Sequence, residues 1–442
     1  MKKNFKLFVV AMIVAILAII LIFPFGCTDK NDKKAIIILP GIMGSNIVES
    51  STGDPLWAPL ENSAGNVELN AAAVTKLLKR QEVKDLLDID GPKGAFEWLR
   101  KMRINADGST NAVCDTQQIL DDGSVKYGKT YKYGTFNYYE KMYNYLYDLF
   151  SDQYDVRLFE YDWRLDNGAS AKKLEQFIKE HKYSEVVLVG HSMGGVLAST
   201  FIASSEANAK KVTKFISLGT PYFGAHKALR VLNDPMSMLG DFSSLLGTLK
   251  TVLNGMNKDY EGDAFQDVFD EFLGFINDLP TLYQLLPYED MVGAYDNGNP
   301  ALEGQGIITV DGTPVTDYAQ YLAFFDNFTV NKRCVGKMVS WQQEQYKNGK
   351  HATEYVDTTF FVGNGLETES GASFVSDGNG GYKMQGVISS TWGDSTVALY
   401  SASCGHPLTD PRVVEMKGIG HGGLASDDVS LAKIGEIIQA LA

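Results

Sequence analysis

The stretch EVVLVGHSMGGVLASTFIA, residues 185–203, changes backbone habit halfway along. Glu185 to Val189 is a short apolar, β-branched run of the kind that is buried on both faces of a parallel sheet. Val196, Leu197, Thr200 and Phe201 then recur at helical spacing. Between them lies Gly190-His191-Ser192-Met193-Gly194, a G-x-S-x-G pentapeptide. Glycines flanking a serine let strand and helix approach closely around a strained turn. A serine on such a turn projects its hydroxyl above the sheet, where it serves as a nucleophile. The same residues also read as an ordinary strand–helix junction, and in a chain with 43 glycines the bare pattern is weak. The choice between the two depends on whether the chain supplies partners for Ser192.

Working outward, the same alternation recurs. Ala35 to Leu39 reads as a buried strand entering the loop Pro40–Ser45. Phe136 to Phe150 reads as a helix, Asp155 to Tyr161 as a strand, Ala169 to His181 as an amphipathic helix and Thr213 to Leu218 as a strand. Strands return at Thr358 to Val362 and Arg412 to Met416, and Leu424 to Leu441 forms a closing helix. This pattern predicts an α/β fold with a mostly parallel central sheet, spanning residues 35–442 after a leader at 1–34. Two insertions interrupt it. Residues 61–132 are mixed, with a helical stretch from about Ala71 to Leu87, and residues 228–328 are helical. The second insertion carries wide apolar faces, such as Phe265, Val268, Phe269, Phe272 and Phe275. It reads either as a subdomain packed on the sheet or as a mobile cap facing a lipid channel.

A chain of 442 residues with 45% apolar content can bury a substantial core. Its net charge of −14 argues against nucleic acid as a partner and against docking on anionic lipid by long-range attraction. Leu7 to Phe25 carries no charge and as a helix would span about 28 Å, nearly the hydrocarbon thickness. Gly26-Cys27 and a polar tether follow. This start resembles a bacterial lipoprotein leader with Cys27 as the lipidated residue. It also reads as a retained membrane helix, or as a plain secretion signal. Each reading puts the body outside the cytoplasm, at the outer face of the cell membrane or secreted. Apart from Cys27, the cysteines Cys114, Cys334 and Cys404 allow at most one disulfide, and spacing allows Cys334–Cys404 without establishing it. No C-x-x-C or H-E-x-x-H pattern is present, so no metal and no cofactor is expected. Asp377 to Gly381 lacks the glutamate of a calcium loop and reads as a hairpin turn. Oligomeric state is not encoded in any feature of the sequence.

A nucleophilic serine needs a base, and the base needs an orienting carboxylate, in the chain order Ser, acid, His for a fold of this kind. His421, in Gly418-Ile419-Gly420-His421-Gly422-Gly423, sits between the last strand and the final helix, where the base belongs. His406 precedes that strand and reads as a turn or surface residue. For the acid, Glu367, Asp377 and Asp394 all follow the strand at Thr358 to Val362, and spacing leaves them competing. An oxyanion hole needs two converging backbone N–H groups. Met193 supplies one, and Ile42, in the glycine loop after the first strand, is the natural source of the other, although that loop also reads as a plain tight turn.

Several motifs occur in order: Leu39-Pro40-Gly41-Ile42-Met43-Gly44-Ser45, Tyr161-Asp162-Trp163-Arg164, Gly190 to Gly195, Gly219-Thr220-Pro221, Leu285-Leu286-Pro287, Gly393-Asp394-Ser395-Thr396-Val397 and Gly420-His421. As a set they resemble the lecithin:cholesterol acyltransferase-like family of α/β-hydrolases, which includes phospholipid:diacylglycerol acyltransferases and lysosomal phospholipases. The resemblance runs from about Ala35 to the end. It implies an α/β-hydrolase fold with a helical cap, a Ser192–Asp394–His421 triad, and oxyanion donors at Ile42 and Met193. It also implies that Asp162 and Trp163 line or brace an acyl site, against the plainer reading of a buried ion pair beside a packed indole. The implied chemistry is acyl transfer from a glycerolipid or phospholipid ester, through an acyl-serine, to water or an alcohol. The competing expectations are a small-ester carboxylesterase and a non-catalytic, surface-anchored lipid-binding protein.

Overall fold

Six strands lie side by side in the computed structural model, and every neighbouring pair among them is parallel. The structure describes residues 33–53, 55–57, 97, 99–105, 109–114, 118–119, 125–126, 135–234, 263–289, 291, 308–328 and 330–441. In chain order the six strands are β1 (Lys33–Leu39), β2 (Asp155–Leu158), β3 (Tyr183–His191), β4 (Val212–Leu218), β5 (Thr358–Asn364) and β6 (Val413–Lys417). Their spatial order is β6-β5-β4-β3-β1-β2. Such a sheet needs cover on both faces, so its strands are apolar at consecutive positions. Ala35 to Leu39 and Val186 to Val189 are fully buried.

The pleat sorts these residues between two layers. Ile37, Leu39, Val186 and Leu188 pack with Leu174 and Ile178 of α2 (Asn167–Glu180) and with Val196, Leu197 and Phe201 of α3 (Met193–Ser204). Ile36, Ile38, Val187 and Val189 pack on the opposite side. There they meet Tyr139, Tyr143 and Leu146 of α1 (Thr135–Phe150) and Leu431, Ile434 and Ile438 of the closing helix at Asp428–Gln439. The helix α1 presents Tyr139, Met142, Tyr143, Leu146 and Phe150 inward at helical spacing.

Register sets where chemistry can happen. Gly190 lies opposite both Leu39 and Ser217, so β1, β3 and β4 end at one level. The loops that follow them, and the loop after β6, therefore gather at the carboxyl edge of the sheet, where open α/β sheets place their ligands.

The structure departs from the sequence reading in several places. The strand expected to reach Tyr161 stops at Leu158, and the closing helix starts at Asp428 after a short 3₁₀ turn over Gly422–Ala425. A second sheet, unread in the sequence, joins the antiparallel strands Thr368–Ser376 and Tyr382–Ser390 to Ile308–Val310 and Thr313–Val315. The expected helical insertion thus contains a hairpin ahead of its last helix, Tyr318–Asn327, and the turn of that hairpin, Asp311-Gly312, has positive φ at both residues. The turn Asp377–Gly381 connects two antiparallel strands, as expected of a hairpin. Cys334 and Cys404 lie on separate elements and are not disulfide-bonded, so the bridge that spacing allowed is not formed.

Of the helical insertion, Ala264–Asn277 and Pro280–Gln284 are described helices, and Leu279, Leu282, Leu285 and Leu286 are buried. The Ala225 N–H donates to the Leu285 carbonyl at 2.8 Å, and the Tyr288 N–H to that of Phe223 at 3.0 Å. This part of the insertion is a packed wall of the body. Helix 71–87, the stretch Leu7–Phe25 and Cys27 lie outside the described residues. Among the described residues no helix is long and apolar enough to cross a membrane.

Candidate active site

Ser192 sits between β3 and α3 with φ 54° and ψ −126°, a left-handed conformation that a residue with a side chain adopts under constraint. The constraint is steric. A Cβ on Gly194 would lie 2.1 Å from the Leu39 carbonyl oxygen, so α3 starts in contact with the end of β1. The Ser192 N–H is tied to the Leu218 carbonyl at 2.9 Å, which holds the turn against β4 as well. The hydroxyl makes no helix-capping bond, and Ser192 is 8% exposed.

Of the three competing carboxylates, the tertiary structure brings Asp394 to His421. Glu367 is exposed, and Asp377 accepts from the N–H groups of Asn379 and Gly381 within its hairpin turn. Asp394 returns to the end of β5 through a bridge to Leu366 and is fully buried. Its Oδ1 accepts from the N–H groups of Thr396 and Val397, at 3.0 and 2.7 Å. Its Oδ2 accepts from His421 Nδ1–H at 2.7 Å, and its carbonyl accepts from the His421 N–H at 2.8 Å. With the Nδ1 proton held by the carboxylate, His421 presents the lone pair of Nε2, the state a general base requires. No hydrogen bond joins Ser192 Oγ to His421 in this structure, and such pairs commonly tighten only in the substrate complex.

Met193 follows Ser192 directly, and Ile42 follows Gly41, where a Cβ would lie 3.1 Å from the Ser192 Cβ. No hydrogen bond among the described residues takes up either backbone N–H. Ile42 precedes Met43, whose φ of 62° kinks the loop, and the Gly44 N–H closes that turn on the Gly41 carbonyl at 3.1 Å. The Met193 side chain turns into the insertion, where Thr281 Oγ1 donates to its Sδ at 2.8 Å. The wall at Leu279–Leu286 is therefore seated on the turn that carries Ser192.

Asp162 and Trp163 brace this region. Arg164, fully buried, grips both carboxylate oxygens of Asp162 at 2.9 and 2.7 Å. Its remaining donors reach the carbonyls of Met102 at 2.6 Å and Ala112 at 3.0 Å. A planar fork with five donors suits this task, because each buried donor finds an acceptor. The pair thereby clasps part of the 61–132 insertion to the sheet. Trp163 Nε1–H donates to the Ser45 carbonyl, and Trp57 Nε1–H to that of Met43, so both indoles hold the loop that carries Ile42. Their rings meet edge to face at 5.7 Å.

Three residues at the site escaped the sequence reading. His191, the first of the two variable positions of the pentapeptide, is buried between Tyr139 and His421. Tyr139 carries no local signal, since only the packing of α1 brings it there. Gly219 was visible as part of Gly219-Thr220-Pro221, but not its contact with Asp394 and His421. Burial, reinforced by the nearby His421, pushes the His191 imidazole down to about 3, and burial raises the Tyr139 phenol well above its usual range. His406, read as a surface residue, pairs with Glu354 away from this cluster. Among the described residues, no group of acidic, histidine or cysteine side chains is arranged to hold a metal.

Residues 93–238 match the family model of lecithin:cholesterol acyltransferase, a segment that includes α1, Ser192 and Gly219. Over that segment the chain is similar to the lecithin:cholesterol acyltransferase family, and its fold is that of an α/β-hydrolase. Among solved structures it resembles a chain of the Tle4–Tli4 complex at 14% identity, covering 92% of this chain and 98% of that one with a TM-score of 0.53. At that identity the likeness concerns the fold alone. A Bacillus licheniformis lipase, BlEst2 in mature form, follows at 15% identity, 68% and 86% coverage and a TM-score of 0.27. The lin2722 product of Listeria innocua matches at 11% identity, 92% and 94% coverage and a TM-score of 0.30. No curated protein matches the chain. The family match and the fold together place the chain among enzymes that act on esters.

Proposed function

We propose that the protein is a serine-dependent lipid acyl hydrolase or acyltransferase that acts on glycerolipid or phospholipid esters through an acyl-Ser192 intermediate. The observation that carries this reading is the buried Asp394–His421 bond of 2.7 Å at the sheet edge where Ser192 is held in a strained turn. In the proposed cycle, Ser192 Oγ attacks the ester carbonyl while His421 Nε2 takes its proton. The tetrahedral oxyanion is held by the N–H groups of Ile42 and Met193, each worth about 10²–10³ in rate. Collapse breaks the ester bond, and His421 returns the proton to the departing alcohol. Water or a second alcohol then removes the acyl group by the same steps in reverse. The apolar wall at Leu279–Leu286, seated on Met193, supports a substrate with an acyl chain. Hydrolysis is the main activity in this reading and transacylation the side reaction. The enzyme works at the outer face of the cell membrane, held there by Leu7–Phe25 or by a lipid on Cys27.

The test is labelling of the purified protein by a fluorophosphonate, followed by product analysis with a labelled phospholipid, with and without a long-chain alcohol. Labelling and lipid turnover by the wild type, both abolished in Ser192→Ala, are expected. Turnover of short p-nitrophenyl esters without any lipid consumption would make the protein a carboxylesterase. A chain that remains unlabelled would be a lipid-binding protein. Mass spectrometry of the membrane-bound protein at Cys27 decides how it is anchored.

A further inference from the structure

The His191 imidazole sits behind the nucleophile, in a position the mechanism does not use. It is 4% exposed and lies between two loops that must keep a fixed spacing. Toward the oxyanion loop, its Nδ1 is 2.8 Å from the Tyr139 hydroxyl, and that hydroxyl accepts the Gly41 N–H at 2.8 Å. Toward the base, its Nε2 is 3.0 Å from the His421 carbonyl oxygen. The Tyr138 ring stacks on the imidazole at 6.2 Å, and the rings of His191 and His421 are 5.0 Å apart.

Donor and acceptor counting leaves one arrangement. The Gly41 N–H can only donate, so the Tyr139 oxygen accepts it and its single hydrogen is free for His191 Nδ1. The His421 carbonyl can only accept, so His191 carries its proton on Nε2. The chain of bonds therefore runs in one direction, from Gly41 N–H through Tyr139 O–H and His191 Nε2–H to the His421 carbonyl. A second proton on Nδ1 would set two donors against each other, and burial of the ring opposes its charging. Gly41 is wedged against the same group, since a Cβ there would lie 3.1 Å from Ser192 Cβ and 3.4 Å from His191 Nδ1.

We infer that His191 is a positioning residue: as the neutral Nε2–H tautomer, it couples the loop that carries Ile42 to the loop that carries His421, on either side of Ser192. Asp394 holds His421 at the Nδ1–H and at the backbone N–H, and His191 holds the third point, the carbonyl. Three bonds define the plane and height of the base, and two leave it a hinge. The inference rests on the reading of Ser192 as the nucleophile.

The experiment compares the wild type with His191→Ala, His191→Gln and Tyr139→Phe. It measures the rate of fluorophosphonate labelling, kcat and KM on a soluble p-nitrophenyl ester, and the thermal midpoint. His191→Ala is expected to lower kcat and the labelling rate about 10- to 100-fold with KM within about threefold, as for a misplaced base and oxyanion donor. His191→Gln can return an amide N–H to the position of Nε2 and recovers part of the loss. Tyr139→Phe breaks the link on the oxyanion side and lowers kcat about 10-fold. A folded His191→Ala variant with kcat and labelling within about twofold of the wild type would overturn the inference, as would a loss of thermal stability alone. Where His191→Ala does not fold, wild-type turnover in both other variants overturns it. A wild-type chain that is not labelled at all overturns the serine reading, and this inference with it.

Discussion

Gly219 and Asp394 meet so closely that the glycine position has no room for a side chain. A Cβ on Gly219 would lie 2.8 Å from Asp394 Oδ2 and 3.0 Å from His421 Nδ1, the two atoms of the Asp394–His421 bond. The backbone there also has φ +59°, a conformation that costs residues with a side chain about 1 kcal/mol or more. Gly219→Ala is therefore expected to separate the pair and lower kcat about 100-fold, with a smaller effect on the thermal midpoint. Steady-state kinetics on a soluble ester checks this, and turnover within a few-fold of the wild type would show that the wedge does not matter.

Asp394→Asn tests the tautomer. Asp394 Oδ1 is engaged by the N–H groups of Thr396 and Val397, so the amide oxygen of an asparagine stays there and its NH₂ faces His421. Two donors cannot share a bond, so the imidazole is driven to carry its proton on Nε2 and cannot accept one from Ser192. A fall in kcat of about 10⁴, with the folded structure retained, is expected. Comparison of circular dichroism and labelling rate in the two forms decides it.

The Arg164 guanidinium tests the brace. Its removal leaves the buried Asp162 charge and the carbonyls of Met102 and Ala112 without their partner. Arg164→Ala is expected to destabilise the fold by about 3–5 kcal/mol, read from denaturant unfolding. Replacing Asp162 as well, with asparagine, should cost less than the sum of the two changes, because no bare charge remains. Strict additivity would argue against a coupled pair.

Three buried histidines set a pH dependence. Burial lowers His191, His226 and His351 from the usual imidazole value of 6.5 to about 3. The native chain keeps them neutral where the unfolded chain takes up protons, so unfolding binds protons between about pH 6.5 and 3. Stability from these groups is fully present above about pH 6.5 and is lost as the pH falls toward 3. The slope approaches about 1.4 kcal/mol per pH unit for each histidine. Unfolding free energies at pH 7, 6 and 5, above the range of most carboxylates, test this. A flat profile would mean that these rings already reach water in the native state.

The legible parts of this protein were those whose signal is local and periodic. The run Glu185–Val189 followed by Val196–Phe201 gives a strand and a helix because period and β-branching are properties of neighbouring residues. Glycines beside Ser192 and His421 stood out for the same reason. The hairpin over Thr368–Ser390 was missed because one of its strands, Tyr382–Ser390, alternates only between half-buried and exposed positions and carries little apolar contrast. Asp311-Gly312 between short β-branched runs was a readable turn signal inside a segment dominated by helical stripes.

The amino-acid order by itself determined which segments alternate between strand and helix, and therefore that Ser192 and His421 follow strands of one parallel sheet. Tertiary structure alone decided which of Glu367, Asp377 and Asp394 reaches His421. It also decided that Asp162 pairs with Arg164, and that the imidazole beside Ser192 bridges two loops. The reason is physical. Backbone habit follows from side chains within a few residues, whereas the partner of a buried charge or proton is settled by atoms brought into contact from distant parts of the chain, as Tyr139 and His421 are on either side of His191.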